Sequence, residues 1–362
     1  MGYGLRASLL LGLLVTAACA GWAGGGATSE TGPAPAPAAP PGTLVPTGAA
    51  SPTPEPPAQK VTVAYPSVAG GFLPLWLAAD EGLFAKYGLD AELTYIASGT
   101  TAMQSLLAGD VQFVLTSAPE PVGAYLAGAP VQILMGWNPV PSAVFVVNPR
   151  ITSPEQLRGE TIGITRFGAQ PHVAARIALK HWGLDPDTDV QYLQLGGPPQ
   201  IVAAMQSGVV VGAALALPTS VRARQLGFRE LGDVGQMGVE YQSDAFVGVQ
   251  SYVDANAEAV RRVVRALLEG IKLSLTDDDA SRATLAKYTQ LEEPELLDET
   301  IAHFRAITRR DGRPSLPGLQ AILDDLAEAD PRARSVRPEQ LVNLAALEQV
   351  EAGDFLKQLY GE

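Results

Sequence analysis

Cysteine is almost absent from this chain: among 362 residues only Cys19 is present, so no internal disulfide can form. Histidine is nearly as scarce, with His172, His181 and His303 spread along the sequence. His172, in Gln170-Pro171-His172, lacks the neighbours that a metal or acid–base site needs, and the other two fall within helical patterns and read as structural. No P-loop, nucleophile elbow or His-Glu-x-x-His motif is written in the chain. Asp277-Asp278-Asp279 carries charge enough for calcium but no adequate ligand loop, so it reads as a solvated helix end. These gaps leave no catalytic constellation, and no metal or cofactor is expected. Cations are also short, 25 Lys and Arg against 38 Asp and Glu, for a net charge of −13, which excludes nucleic acid as a natural partner. Long apolar runs are missing except near the N-terminus, so the body is expected to be soluble.

What is there begins with an export signature. Arg6 precedes Leu9-Leu10-Leu11-Gly12-Leu13-Leu14-Val15, and the small residues Ala17-Ala18 lead into Cys19, the order of a charged start, an apolar middle and a cleavage site. Residues 1–18 are therefore expected to be removed. The position of Cys19 is similar to that of the lipid-attachment cysteine of bacterial lipoproteins, although Thr16 stands where leucine is usual. That similarity implies a membrane anchor through Cys19, the alternative being plain secretion. Residues 19–59 are almost wholly Gly, Ala, Pro, Ser and Thr; they cannot bury enough apolar surface to repay their ordering entropy and read as a disordered, semi-stiff tether.

Beyond the tether, strand patterns recur at 61–65, 91–96, 111–116, 131–136 and 143–147, separated by helical patterns at 74–81, 101–108 and 121–127. The grammar repeats from Thr161, with strands at 161–165, 190–195 and 211–215 and helices at 171–182, 199–207 and 218–226. Met103-Gln104-Ser105 and Met205-Gln206-Ser207 each lead through a glycine to a buried strand, an echo that points to two lobes built alike. Alternation of this kind predicts parallel sheets covered by helices. Phe246 to Gln250 is another strand, and Val260, Val263, Val264, Leu267, Leu268, Ile271 and Leu275 mark one face of a long helix. The expected organisation is a discontinuous first lobe of residues 60–145 and 247–362 and a second lobe of 146–246. Strands at 143–147 and 246–250 would be the hinge crossovers, and the C-terminal helices would fold back onto the first lobe.

The run from Pro74 to Asp90, PLWLAADEGLFAKYGLD, resembles the opening signature of the substrate-binding proteins of nitrate, sulfonate, taurine and thiamine-pyrimidine-precursor ABC importers. Leu106 to Phe113, Ser153 to Gly159 with Ile162-Gly163-Ile164, and Gly183-Leu184-Asp185-Pro186 extend the resemblance over roughly residues 61 to 275. Val211 departs from it, standing where an acidic residue is common. The resemblance implies an α/β, type II periplasmic-binding-protein fold, two lobes joined by two crossover strands with a helical C-terminal segment. It also implies an importer permease as partner and no catalysis in most members. Its pyrimidine-synthase relatives bind iron through a cysteine-rich motif that this chain lacks after Cys19. The expected product is an exported, monomeric solute-binding protein, in the periplasm or lipid-anchored at the cell membrane. It would close on a small organic anion of the sulfonate or carboxylate type, or alternatively on a thiamine-type pyrimidine precursor.

In open α/β sheets a ligand lies beyond the carboxyl ends of the strands, where helix N-termini present free N–H groups. In the first lobe this rule selects Ser67, Gly70, Gly71 and Phe72, then Ser98, Gly99 and Thr100, then Thr116 and Ser117, then Trp137 and Asn138. In the second it selects Arg166, Phe167 and Gly168, then Gly196 and Gly197, then Leu217. Ser98-Gly99-Thr100 has the small residues and hydroxyls of an anion cradle, though a simple helix cap explains them as well. Arg166 is the one permanent cation in the set and could clamp an acid across the cleft, against the plainer reading of a solvated loop charge.

Overall fold

The computed structural model describes residues 58–362 and the isolated Gly32; the expected leader, Cys19 and nearly all of the tether lie outside the described residues. Among the described residues ten strands form two five-stranded sheets. The first contains β1 (Gln59–Tyr65), β2 (Leu89–Tyr95), β3 (Phe113–Thr116), β4 (Val131–Met135) and, from late in the chain, β10 (Ala245–Val249). The second contains β5 (Val144–Val147), β6 (Thr161–Ile164), β7 (Gln191–Gln194), β8 (Gly212–Leu215) and β9 (Arg229–Asp233). Their orders, β2-β1-β3-β10-β4 and β7-β6-β8-β5-β9, are the same pattern twice. Each lobe winds three strands in parallel and then admits one strand from the far side of the hinge before its last.

That admitted strand corrects the expectation of parallel sheets. β10 runs antiparallel to β3 and β4, and β5 antiparallel to β8 and β9, so both sheets are mixed. A strand arriving from the other lobe enters at the hinge end, and the shortest path into the sheet is against its neighbours. β9 was not expected at all. Its Arg229-Glu230-Leu231-Gly232-Asp233 is an edge strand with no fully buried residue and only Leu231 against the core, so it carries no apolar run.

Helices α1 (Leu73–Asp80), α2 (Leu83–Lys86), α3 (Gly99–Ala108) and α4 (Pro119–Leu126) flank the first sheet, and α5 (Gln170–His181), α6 (Pro198–Gln206) and α7 (Thr219–Gln225) the second. Proline opens most of these at the first or second position, where a missing N–H is harmless. The C-terminal part is helical: α8 (Gln250–Ala255), α9 (Ala257–Thr276), α10 (Asp278–Thr289), α11 (Pro294–Ile307), α12 (Leu316–Leu326), α13 (Ala345–Ala352) and α14 (Phe355–Tyr360). No helix of the described residues is long and apolar enough to cross a membrane.

The apolar stripe of α9, recurring every three or four residues, is buried against α1, with Val263, Val264, Leu267, Leu268 and Ile271 in one cluster with Leu75, Trp76 and Leu77. Gly270 permits this approach: a Cβ there would strike the Pro74 carbonyl. The C-terminal helices do more than cover the first lobe. α11 gives Leu297 and Ile301 to the first-lobe cluster but Phe304 to the cluster of Val144, Ile201, Leu215 and Leu217 in the second.

Candidate ligand cleft

The crossover segments, 136–143 and 234–244, lie side by side and are tied by a buried carboxyl. Asp244 Oδ1 accepts from the backbone N–H of Trp137 at 3.1 Å and of Asn138 at 2.9 Å, and from Gln242 Nε2 at 3.0 Å. The Ser243 N–H donates to the Asn138 carbonyl at 2.8 Å, and the Ser142 N–H to Ser243 Oγ at 3.1 Å. Burial pushes the Asp244 carboxyl up to about 7, against the pull of its donors.

Above this floor the strand ends of the two sheets enclose a cleft of about 700 Å³, part of it open to solvent. Of the residues expected there, Ser67, Gly71, Phe72, Ser98, Gly99, Ser117 and Asn138 line it. The rest do not. Gly70 donates its N–H to the Leu217 carbonyl at 2.9 Å, so these two residues bond each other across the lobes. Trp137 is fully buried beneath the wall, its indole N–H donating to the Gly71 carbonyl at 3.0 Å. The Thr116 hydroxyl is buried, and that of Thr100 lies 2.9 Å from Ser98 Oγ.

In the second lobe Arg166 is exposed and outside the lining, and Phe167, 53% exposed, packs edge-on against His172 and Tyr192. Gly168 donates to His172 Nδ1 at 3.1 Å. Burial, aided by Arg176, holds His172 down at about 4, leaving a neutral ring. Gly196 and Gly197 shape the turn into α6 behind the lining residue Pro198.

Sequence reasoning missed the most polar part of the cleft: Glu120, Ser142, Thr165, Gln170, Thr219, Ser243 and Asp244. Glu120 sits in the first turn of α4, between two prolines, which a helix expected from 121 left outside. Its Oε1 accepts the Gln170 N–H of the second lobe at 3.2 Å, and its Oε2 is buried without a partner in the protein. Oε1 also lies against Gly99, where any side chain would collide with Glu120 and Thr116. Glu120 Oε1 thus stands beside the start of α3, which was expected to cradle an anion. Burial pushes Glu120 up to about 8. Among the described residues, none of those lining the cleft is Lys, Arg or His.

The lobes are drawn together, and not only at the cleft. Arg176 of α5, with Asp187 of its own lobe, faces Asp325 at 3.7 Å and Glu328 at 3.5 Å from the C-terminal helices, and Lys180 pairs with the same two acids. Since α12 packs on first-lobe residues through Leu319, Ile322 and Leu323, this network spans the lobes. Arg176→Gln is expected to weaken closure by about 1 kcal/mol, because Glu328 and Asp187 remain solvent-facing. Small-angle scattering should then show a larger radius of gyration, as should wild type in high salt; an unchanged radius in both rejects the latch.

The model of the NMT1-like family matches residues 54–290, well over half of the chain. The chain belongs to the NMT1-like family. Relatives of this NMT1-like protein include the taurine-binding periplasmic protein of Escherichia coli K12, 31% identical over 61% of this chain and 68% of that one. The riboflavin-binding protein RibY of Chloroflexus aurantiacus is 29% identical over 68% of this chain and 70% of its own. Among solved structures, the alkanesulfonate-binding protein SsuA of Xanthomonas axonopodis pv. citri, bound to MOPS, superposes with a TM-score of 0.68 at 22% identity, covering 80% of this chain and 99% of that one. It shares the fold, two mixed sheets with flanking helices. This NMT1-like chain is accordingly a member of a group of solute-binding proteins.

Proposed function

We propose that this protein is an exported binding protein that delivers a small organic solute to an ABC importer, seizing it in the cleft by hinge closure. The observation that carries the reading is the cleft itself: two alike sheets, connected through the chain by two short crossovers, facing each other across a polar-floored space. Contacts made to both lobes at once favour the closed form over the open one, which is what couples capture to closure. No chemistry is asked of the lining residues. The signature of the first eighteen residues supports export, and Cys19 a lipid anchor.

Of the two ligand classes expected from the sequence, the chemistry of the lining favours the uncharged nitrogen heterocycle over the organic anion. Glu120 and Asp244 are the ionisable side chains on the wall, and Arg166 stands outside it. A sulfonate there would meet no positive side chain, only hydroxyls and backbone N–H groups beside two buried carboxyls.

The test is native mass spectrometry of the purified full chain for a retained solute, then melting-temperature and scattering measurements with taurine, methanesulfonate, nitrate, riboflavin and aminopyrimidines. A true solute present at a hundred times its dissociation constant should raise stability by about 2.7 kcal/mol and should shrink the radius of gyration. A flat screen together with unchanged scattering would sink the proposal.

A further inference from the structure

We infer that Glu120 is the specificity-determining residue of the cleft, and that it selects solutes presenting N–H donors, such as amino-heterocycles and amidines, over sulfonates and carboxylates. The inference rests on the binding-protein reading above and names the solute class of that site.

Three observations converge. First, Glu120 belongs to the wall and its Oε2 has no partner, whereas Oε1 is held by the Gln170 N–H at 3.2 Å. One oxygen fixes the carboxyl; the other is left to accept. Secondly, the hydroxyls of Ser117 and, from the opposite lobe, Thr165 are also buried, unpartnered and on the lining. A flat molecule with a donor edge would meet Glu120 and could return acceptor atoms to these hydroxyls, with Phe72, Pro171 and Leu215 against its apolar faces. Thirdly, the groups packed about Glu120 supply no positive charge. They are Gly99 and Thr116 from the first lobe, the Gln170 N–H from the second and Tyr241 from the second crossover, with Asp244 elsewhere on the same wall. Once deprotonated, a carboxyl so placed is satisfied by a donor from the solute and repels an acid.

The charge state of Glu120 then makes capture proton-linked. An N–H donor binds the carboxylate, so with the free residue titrating at about 8, affinity should fall about tenfold per pH unit as pH drops below that value. An anion would instead need the protonated acid as donor and would lose affinity as pH rises through the same range.

The deciding experiment titrates the full chain with 4-aminopyrimidine, cytosine and benzamidine, and with taurine, methanesulfonate and benzoate, by calorimetry and melting temperature from pH 6 to 9. At least one member of the first group should bind, more tightly at pH 8.5 than at pH 6.5 by up to about twenty-five-fold. Glu120→Gln, which keeps shape and one acceptor oxygen, should flatten that profile and weaken the member that binds by about tenfold or more at pH 8.5. Its circular dichroism establishes that it is folded, and Glu120→Asp, shorter by a methylene, should retain part of the pH slope. Binding by taurine, methanesulfonate or benzoate with none from the first group overturns the inference while leaving the binding-protein reading intact. An unaltered pH profile in Glu120→Gln also overturns it. Failure of all six probes together with no compaction in scattering removes both.

Discussion

Asp244→Ala is expected to lose about 3 kcal/mol or more of stability. The mutation removes the shared acceptor of the Trp137 and Asn138 N–H groups and of Gln242 Nε2, all in the buried floor of the hinge. Leaving a buried donor unsatisfied costs about 1–3 kcal/mol each, and some relief from local rearrangement keeps the total below the full sum. Asp244→Asn, which retains an acceptor oxygen, should lose less than half as much. Urea midpoints for the three proteins check the order, and an alanine variant as stable as wild type would show that the crossovers are held by something else.

The same residue predicts a pH dependence. Asp244 and Glu120 titrate at about 7 and about 8 in the folded protein, above the ordinary range of unfolded carboxyls near 4. Between those limits the folded state binds protons that the unfolded state does not, so the contribution of each group is fully present at low pH and is lost as pH rises through its folded value. The melting temperature of the unliganded protein should therefore fall from pH 5 to pH 8.5, counter to the usual behaviour of ion-paired acids. Asp244→Asn should remove the part lost near 7 and keep the part near 8. A melting temperature that rises over this range refutes the assignment.

The second large effect is expected at Trp137. Its side chain is fully buried, packed in the same cluster as Phe246 and Leu268, and its indole N–H satisfies the Gly71 carbonyl on the cleft wall. Truncation to alanine should cost about 3–5 kcal/mol through lost burial and the cavity left behind. Trp137→Phe retains most of the packing but leaves that carbonyl unpaired, for a loss of about 1–2 kcal/mol, and should also weaken solute capture because Gly71 and Phe72 line the cleft. Chemical denaturation and calorimetric titration separate the two effects; equal stability of all three proteins would show that the indole supports nothing.

Much of the architecture was legible beforehand because it is written in local periodicity. β1, β4 and β10, and the stripe of α9, are apolar runs or helical repeats whose spacing depends only on near neighbours. The resemblance carried by Pro74 to Asp90 pointed to the family, and of the residues the strand-end rule chose, Ser67, Gly71, Phe72, Ser98, Gly99, Ser117 and Asn138 line the cleft while the others do not. β9 was illegible, since a half-exposed edge strand has no apolar signature.

The chemistry of the wall was a different matter. In the linear chain Arg166 stands as the one cation among the strand ends, either a ligand clamp or a solvated loop charge, and nothing singles out Glu120 or Asp244. Folding leaves Arg166 in solvent and buries both acids where the lobes meet. Periodicity along a chain tells which residues share a face, and that is enough for strands, helices and the ends of sheets. Whether a charge ends in water or in a closed crevice depends on which distant segment is laid over it, here Gln170 over Glu120 and the Trp137 backbone over Asp244. Contacts between residues fifty or a hundred positions apart leave no local trace, so the polarity of the cleft wall became readable only once the two lobes were brought face to face.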